Sequence, residues 1–143
     1  MIVSVMDNMK EKYQKNIAAG EMLSSSDKKL YTSSIHCFYY AVLQCMKYRL
    51  AHLEDNSISY TEQEERAELG NGSHEFVINE IASRMNADYK NLRNFKEDIR
   101  ELKKKRVQAD YSERMFTQEE SLECREQAER LITNINRFTK VAV

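Results

Sequence analysis

Arg106 occupies the position in this sequence where side-chain type and spacing most strongly suggest chemistry. It continues an apolar series whose members recur at three- and four-residue steps, the spacing of one helix face. Its guanidinium is therefore predicted to point toward the bundle or a partner subunit, where a charge needs acceptors. Asp110 could accept and close the helix end, or Arg106 could face a ligand such as a nucleotide, and both readings stay open. The apolar series consists of Leu92, Phe95, Ile99 and Leu102.

A stripe of basic side chains follows the same helix at helical spacing. At about 100° per residue the stripe lies roughly a quarter-turn or more from the apolar series. Such a row could track a phosphate backbone, or it could be an ordinary solvated face balanced by Glu97, Asp98 and Glu101. The stripe comprises Arg93, Lys96, Arg100, Lys103 and Lys104.

His36 is a second candidate, because it shares a predicted helix face with Tyr40, Leu43 and Lys47. A single histidine on a helix is either packed against its neighbours or available to bind a ligand or move a proton near neutral pH. The spacing is compatible with both roles.

The sequence lacks the common metal and nucleophile motifs. There is no cysteine pair with a two-residue gap, no pair of histidines at i and i+4, no serine elbow and no glycine-rich phosphate loop. We therefore predict no metal and no cofactor. The histidine and cysteine side chains that could bind a metal are those of His36, His52, His74, Cys37, Cys45 and Cys124.

The composition predicts a soluble, cytoplasmic protein. With 143 residues, 41% of them hydrophobic and 31% charged, the chain is long enough to bury a core and is neither disordered nor a membrane protein. The stretch Ile35–Met46 is too short to span a bilayer, and the N-terminus does not resemble a signal peptide. Three scattered cysteines indicate free thiols, and the net charge of −1 provides no global attraction to nucleic acid.

The fold is predicted to be all-α. Proline is absent, glycine occurs three times, and no segment alternates with period two, so helices should be joined by short polar loops. We predict an up-and-down bundle of about five helices with one longer connection, formed by residues 1–143 as a single domain.

Capping residues and apolar spacing indicate the helix ends. The first helix, which carries Val5 and Met9, is predicted to end near Gly20, and the next to run from about Asp27 to Leu53. A cluster of four cations, residues 103–106, is predicted to mark the C-terminal end of the helix that carries Arg106, because the helix dipole favours cations there. The remaining predicted N-terminal signals are Thr61 with Glu64, Ser73, Asp88, and Thr117 with Glu120.

The stretch Ile35–Met46 is apolar around nearly the whole helix. Such a helix is either central in a bundle or shared with a second subunit. We predict a twofold homodimer with this helix or its neighbours at the contact, because large exposed apolar patches usually mark interfaces.

Two segments resemble motifs of HEPN domains. The stretch Ser34–Ala41 is similar to the second HEPN helix, in which a polar residue precedes a Tyr-Tyr-Ala motif, and Leu102–Tyr111 resembles the segment before the last HEPN helix. The order and lengths of the elements agree over roughly residues 5 to 138. The resemblance implies a bundle with a four-helix core, commonly a homodimer, from prokaryotic conflict and toxin–antitoxin systems.

One departure from the HEPN pattern bears on catalysis. Many HEPN domains are metal-independent RNases that pair an arginine with a histidine four to six residues beyond it, whereas Arg106 is followed there by Tyr111, Ser112 and Glu113. Tyrosine, with a reference pKa of about 10, does not replace a base that titrates near neutral pH. His74 is the nearest histidine in sequence, far upstream, and His36 could substitute if its helix faces Arg106.

We therefore predict a HEPN-like homodimeric binding or regulatory module for a nucleotide, RNA or a partner protein. The resemblance implies a minimal nucleotidyltransferase as that partner, in a toxin–antitoxin or defence system. The first alternative is a metal-independent RNase toxin, and the second is a purely structural helical adaptor. The predicted ligand-binding residues are Arg106, Asp110, Tyr111, His36 and Tyr40, and the RNase would use Arg106 with His36 or Tyr111.

Overall fold

The computed structural model describes residues 8–70 and 72–142. Apart from one isolated antiparallel bridge between Leu53 and Val141, these residues hold helices and loops and no strand. The all-α prediction is confirmed, with six helices where about five were expected. They are α1 (Asn8–Leu23), α2 (Tyr31–His52), α3 (Tyr60–Glu68), α4 (Ser73–Arg84), α5 (Tyr89–Tyr111) and α6 (Gln118–Phe138).

Helix α2 is the centre of the bundle. It packs against α1, α6, α5 and α4, and a smaller contact joins it to α3. Its apolar side chains are therefore buried within a single chain, and the surface that suggested a dimer is already covered. The homodimer stays a prediction, and a second subunit is not needed to bury the apolar side chains of α2. The fully buried side chains of α2 include Ile35, Phe38, Tyr39, Val42, Leu43, Met46 and Leu50.

Helices α1 and α2 have different bounds from those predicted. Helix α1 continues through Gly20 to Leu23, and Val5 lies outside the described residues. Helix α2 begins at Tyr31 rather than near Asp27, because Lys29 adopts a left-handed backbone conformation with φ 52°. Gly20 is thus a packing residue rather than a helix end.

The contact of Gly20 with Phe38 gives a stability prediction. A Cβ atom added at Gly20 would lie 2.4 Å from the ring of Phe38, which is fully buried. Gly20→Ala should therefore lower the free energy of unfolding by about 1–3 kcal/mol, despite the better helix propensity of alanine. Gly70→Ala is the matched control, because no atom lies within 4 Å of its added Cβ. Equal urea midpoints for the two variants would contradict the packing role.

Two of the predicted caps differ from the structure and two are confirmed. Ser59, not Thr61, caps α3 by accepting a hydrogen bond from the Glu62 amide. Ser73 is already the first helical residue of α4, so Gly72 holds the N-cap position. Asp88 caps α5, and Thr117 with Glu120 forms the predicted capping box of α6.

Helix α5 extends to Tyr111, one and a half turns beyond its cluster of cations at residues 103–106. Arg106 therefore lies inside the helix, and Asp110 is on the same face four residues later. Leu102 and Ile99 bury the preceding turns against the core, so the register of α5 directs Arg106 inward, as predicted. Within residues 8–70 and 72–142, no helix has the length and hydrophobicity needed to cross a bilayer.

Candidate functional site

An open cleft of about 370 Å³ lies where the first turn of α4 meets the middle of α2 and the C-terminal half of α5. Four of the predicted site residues line this α2–α4–α5 cleft, and His36 and Asp110 lie directly behind Arg106 and Tyr40. The residues that line the cleft are Tyr40, Gly72, Ser73, His74, Glu75, Lys103, Arg106 and Tyr111.

Arg106 is almost fully buried, with 6% of its surface exposed. Its guanidinium carbon lies 4.9 Å from the ring centroid of Tyr39 and 5.5 Å from that of Tyr40, which are cation–π distances. Nη1 is 3.6 Å from the Asp110 carboxylate, which is longer than a hydrogen bond, and Nη2 is 3.4 Å from Nδ1 of His74. Nε has no hydrogen-bond partner.

Asp110 connects Arg106 to His36. Its carboxylate oxygens lie 2.9 and 3.0 Å from Nδ1 of His36, while the same carboxylate approaches Arg106 from the other side. The ring of His36 lies 4.5 Å from that of Tyr40, and its side chain is 47% exposed. Helix α2 therefore does face Arg106, the condition under which the sequence allowed His36 to join the site.

His74 is a site residue that its position in the sequence, far from Arg106, does not indicate. It lies in the first turn of α4, 32 positions before Arg106, and no spacing rule connects the two. Because arginine only donates, Nδ1 of His74 must accept, and the Tyr39 hydroxyl then donates to the same nitrogen at 2.9 Å. Burial, and then the cations Arg106 and Lys103, lower the pKa of His74 to about 4, so its imidazole is neutral at pH 7.

The depressed pKa of His74 predicts a pH dependence of stability. The unfolded chain takes up this proton near pH 6.5 and the folded chain only near pH 4, so the unfolded state binds more protons in between. The free energy of unfolding should thus fall as the pH is lowered from 6.5 to 4. In His74→Asn, whose amide oxygen can replace Nδ1 as acceptor, the fall should be shallower. Parallel curves from chemical unfolding of the two proteins would contradict a buried neutral His74.

The predicted basic stripe of α5 does not act as one unit in the structure. Lys103 is the member that reaches the cleft, where its Nζ lies 3.1 Å from the Glu75 carboxylate. Arg93 pairs with Glu97 on the solvated surface, as the alternative reading of the stripe expected. Arg100 and Lys104 are exposed, and Lys96 is half-buried.

The chemistry offered by the cleft is the binding of an anion. Arg106 and Lys103 supply cations, Tyr40 and Tyr111 supply rings, and Tyr111 is 77% exposed at the rim. Among the described residues, no group of three or more histidine, cysteine, aspartate or glutamate side chains is arranged to hold a metal ion.

No family model, curated protein or solved structure matches this chain. The HEPN resemblance accordingly rests on its two sequence motifs and stays a prediction.

Proposed function

We propose that this chain is a HEPN-like binding module whose α2–α4–α5 cleft receives the phosphate of a nucleotide or of RNA. The observation that carries the proposal is the unsatisfied guanidinium of Arg106. A buried arginine is costly unless its donors find acceptors, yet Nε has none and the Asp110 contact is long. A phosphate oxygen is the acceptor that guanidinium geometry suits best.

The surroundings of Arg106 support a nucleotide rather than a simple inorganic anion. Tyr111 exposes most of its side chain beside the cleft, and Tyr40, which is half-buried, lines the same cleft from α2. Aromatic side chains of this kind stack on nucleobases without regard to sequence. Because the cleft is open, it also favours ligand binding over the purely structural adaptor, whose groove would be filled by side chains.

Calorimetric titration with 5′-AMP and with a short single-stranded RNA tests the proposal. Arg106→Lys keeps the charge but loses the planar fork of the guanidinium, so the dissociation constant of the variant should rise by about tenfold. The affinity of the wild type should also fall as salt is added, because the attraction is ionic. Arg137→Lys is the matched control, because Arg137 is exposed near the end of α6. Absence of wild-type binding, or equal binding by Arg106→Lys, would overturn the proposal.

The second candidate function is a metal-independent RNase. It is favoured by the Asp110–His36 contact, because a carboxylate that holds one imidazole nitrogen orients the other for proton transfer. We nevertheless favour binding, since cleavage needs a base and an acid that work near neutral pH, and His74, whose pKa is lowered to about 4, is a weak base and is not protonated to act as an acid. One histidine, His36, is then left for both roles.

Incubation of single-stranded RNA with purified protein in a chelator separates the two functions. We expect the RNA to remain intact with wild type. Cutting that is abolished by His36→Ala and by Arg106→Ala, but retained in His52→Ala, would establish the RNase instead. His52 is a suitable control because it lies at the far end of α2, beside Tyr48 and Tyr60.

The same proposal includes assembly. A homodimer and a nucleotidyltransferase partner are what the HEPN resemblance implies, within a toxin–antitoxin or defence system. Light scattering at micromolar concentration tests the dimer, and a single-chain mass would contradict it.

A further inference from the structure

The N-terminus of α4 forms one wall of the cleft. Its N-cap residue, Gly72, has φ 104° and ψ 163°, and no side chain makes a capping hydrogen bond there. The amides of the first turn, Ser73, His74 and Glu75, have no acceptor inside the helix. An added Cβ at Gly72 would meet no atom of the described residues beyond its chain neighbours within 4 Å, and Gly72, Ser73, His74 and Glu75 all line the open cleft.

A second, independent feature faces the same turn. The side chain of Arg106 is 8% exposed, its Nη2 reaches Nδ1 of His74 in the first turn of α4, and its Nε is unpartnered. Lys103 also reaches this turn, through its ion pair with Glu75. Amide donors with a positive helix dipole, a guanidinium and an ammonium thus converge on one place.

We propose that the start of α4, together with Arg106 and Lys103, is a subsite for a terminal phosphate, the phosphomonoester of a nucleotide or of an RNA end. This inference rests on the proposed function and specifies its ligand. A monoester phosphate presents three non-bridging oxygens and carries up to two charges, whereas a diester presents two oxygens and one charge. A site with several donors therefore discriminates in favour of the monoester.

Glu75 weakens the binding of phosphate at this subsite. Its carboxylate lies in the first turn of α4 and holds Lys103 at 3.1 Å, so it occupies a cation that the phosphate would use. A bound phosphate must compete for Lys103 and is repelled by Glu75. Glu75→Gln should consequently tighten phosphate binding by several-fold, which is the opposite of what a residue that merely supports the fold would give.

Proline at the first helical position tests the amides directly. Ser73→Pro removes one backbone donor at a position where helices accept proline well, so the fold should persist. It should weaken 5′-AMP binding by about tenfold, the effect of one charge-assisted hydrogen bond, whereas Ser73→Ala keeps the amide and should change it little. Tyr89→Pro, at the first position of α5 and away from the cleft, should bind as wild type does.

Ligand comparison completes the test. Adenosine should bind far more weakly than 5′-AMP, and an oligoribonucleotide with a 5′-phosphate far more tightly than the same chain with a 5′-hydroxyl. If 5′-AMP and the phosphorylated oligoribonucleotide bind with similar affinity, the ligand is a free nucleotide. If the oligoribonucleotide binds more tightly than 5′-AMP, the ligand is an RNA end. If the oligoribonucleotide binds and Arg106→Lys weakens its binding, while Ser73→Pro and removal of its 5′-phosphate do nothing, the proposed function stands and this subsite is overturned. If nothing binds, both fail.

Discussion

Tyr39→Ala is expected to lower the free energy of unfolding by about 3–5 kcal/mol, the usual range for truncating a fully buried aromatic side chain. Tyr39 has no exposed surface, and its ring lies 5.6 Å from His74 in a stacked arrangement and beneath the guanidinium of Arg106. The variant would therefore lose core packing and, with it, the support of the cleft. Chemical unfolding measures the first loss, and 5′-AMP titration measures the second.

Two controls isolate this effect. Tyr39→Phe removes only the hydroxyl that donates to His74, so it should cost about 0.5–1.5 kcal/mol. Tyr89→Ala truncates a tyrosine that is 81% exposed and should stay within about 0.5 kcal/mol of wild type. Comparable losses in Tyr39→Ala and Tyr89→Ala would show that Tyr39 does not anchor the interior.

Arg106→Met is expected to abolish nucleotide binding without a loss of stability. Methionine fills a similar volume and removes a buried charge with an unpartnered Nε, and the Asp110 carboxylate that loses Arg106 keeps its contact with Nδ1 of His36 at 2.9 Å, so no partner charge is left unpaired. The lost contacts with the rings of Tyr39 and Tyr40 offset part of that gain. We therefore expect a free energy of unfolding within about 1 kcal/mol of wild type or above it.

The structural reading of Arg106 makes the opposite prediction. If its purpose were to pair with Asp110, then Arg106→Met and Asp110→Asn should each lower the free energy of unfolding by about 1–3 kcal/mol, with no change in any affinity. Unfolding curves and 5′-AMP titrations on the same two variants distinguish the readings. A destabilised Arg106→Met that binds normally would refute the role in binding.

The sequence predicted the inward direction of Arg106 because that direction follows from local spacing. Leu102 and Ile99 fix the buried face of α5, and a residue four positions after Leu102 must continue it. The position of Asp110 beside Arg106, four residues later on the same face, follows from the same helix register. These inferences needed no tertiary information, which is why the structure agrees with them.

His74 could not be predicted as a member of the site in this way. It reaches Arg106 only because α4 packs against both α2 and α5, and the position of α4 is set by packing rather than by any local pattern. The sequence feature that could have indicated His74 is a histidine shortly after a glycine-containing turn, at the predicted start of a helix. Such an arrangement is too common to assign a role to the residue. The HEPN pattern predicts the histidine of the site a few residues after Arg106, and the sequence has no histidine after that position.

The predicted dimer shows a different limit. An all-round apolar helix satisfies two arrangements equally well, since burial by four neighbours and burial by a second subunit demand the same residues. The deciding fact is that α1, α4, α5 and α6 all pack against α2 and bury its apolar side chains within one chain. Relative helix positions of that kind are not encoded in the periodicity of α2 alone.

The most direct test of the central claim is an NMR titration of the arginine Nε–H resonances with 5′-AMP. The Arg106 resonance is assigned by its absence from the spectrum of Arg106→Lys. We predict that it shifts in a saturable manner, together with the backbone amides of Ser73 and His74, while the resonance of Arg137 stays in place. An Arg106 resonance that does not move at 5′-AMP concentrations that shift other residues, or a spectrum that does not change at all, would contradict phosphate binding in the α2–α4–α5 cleft.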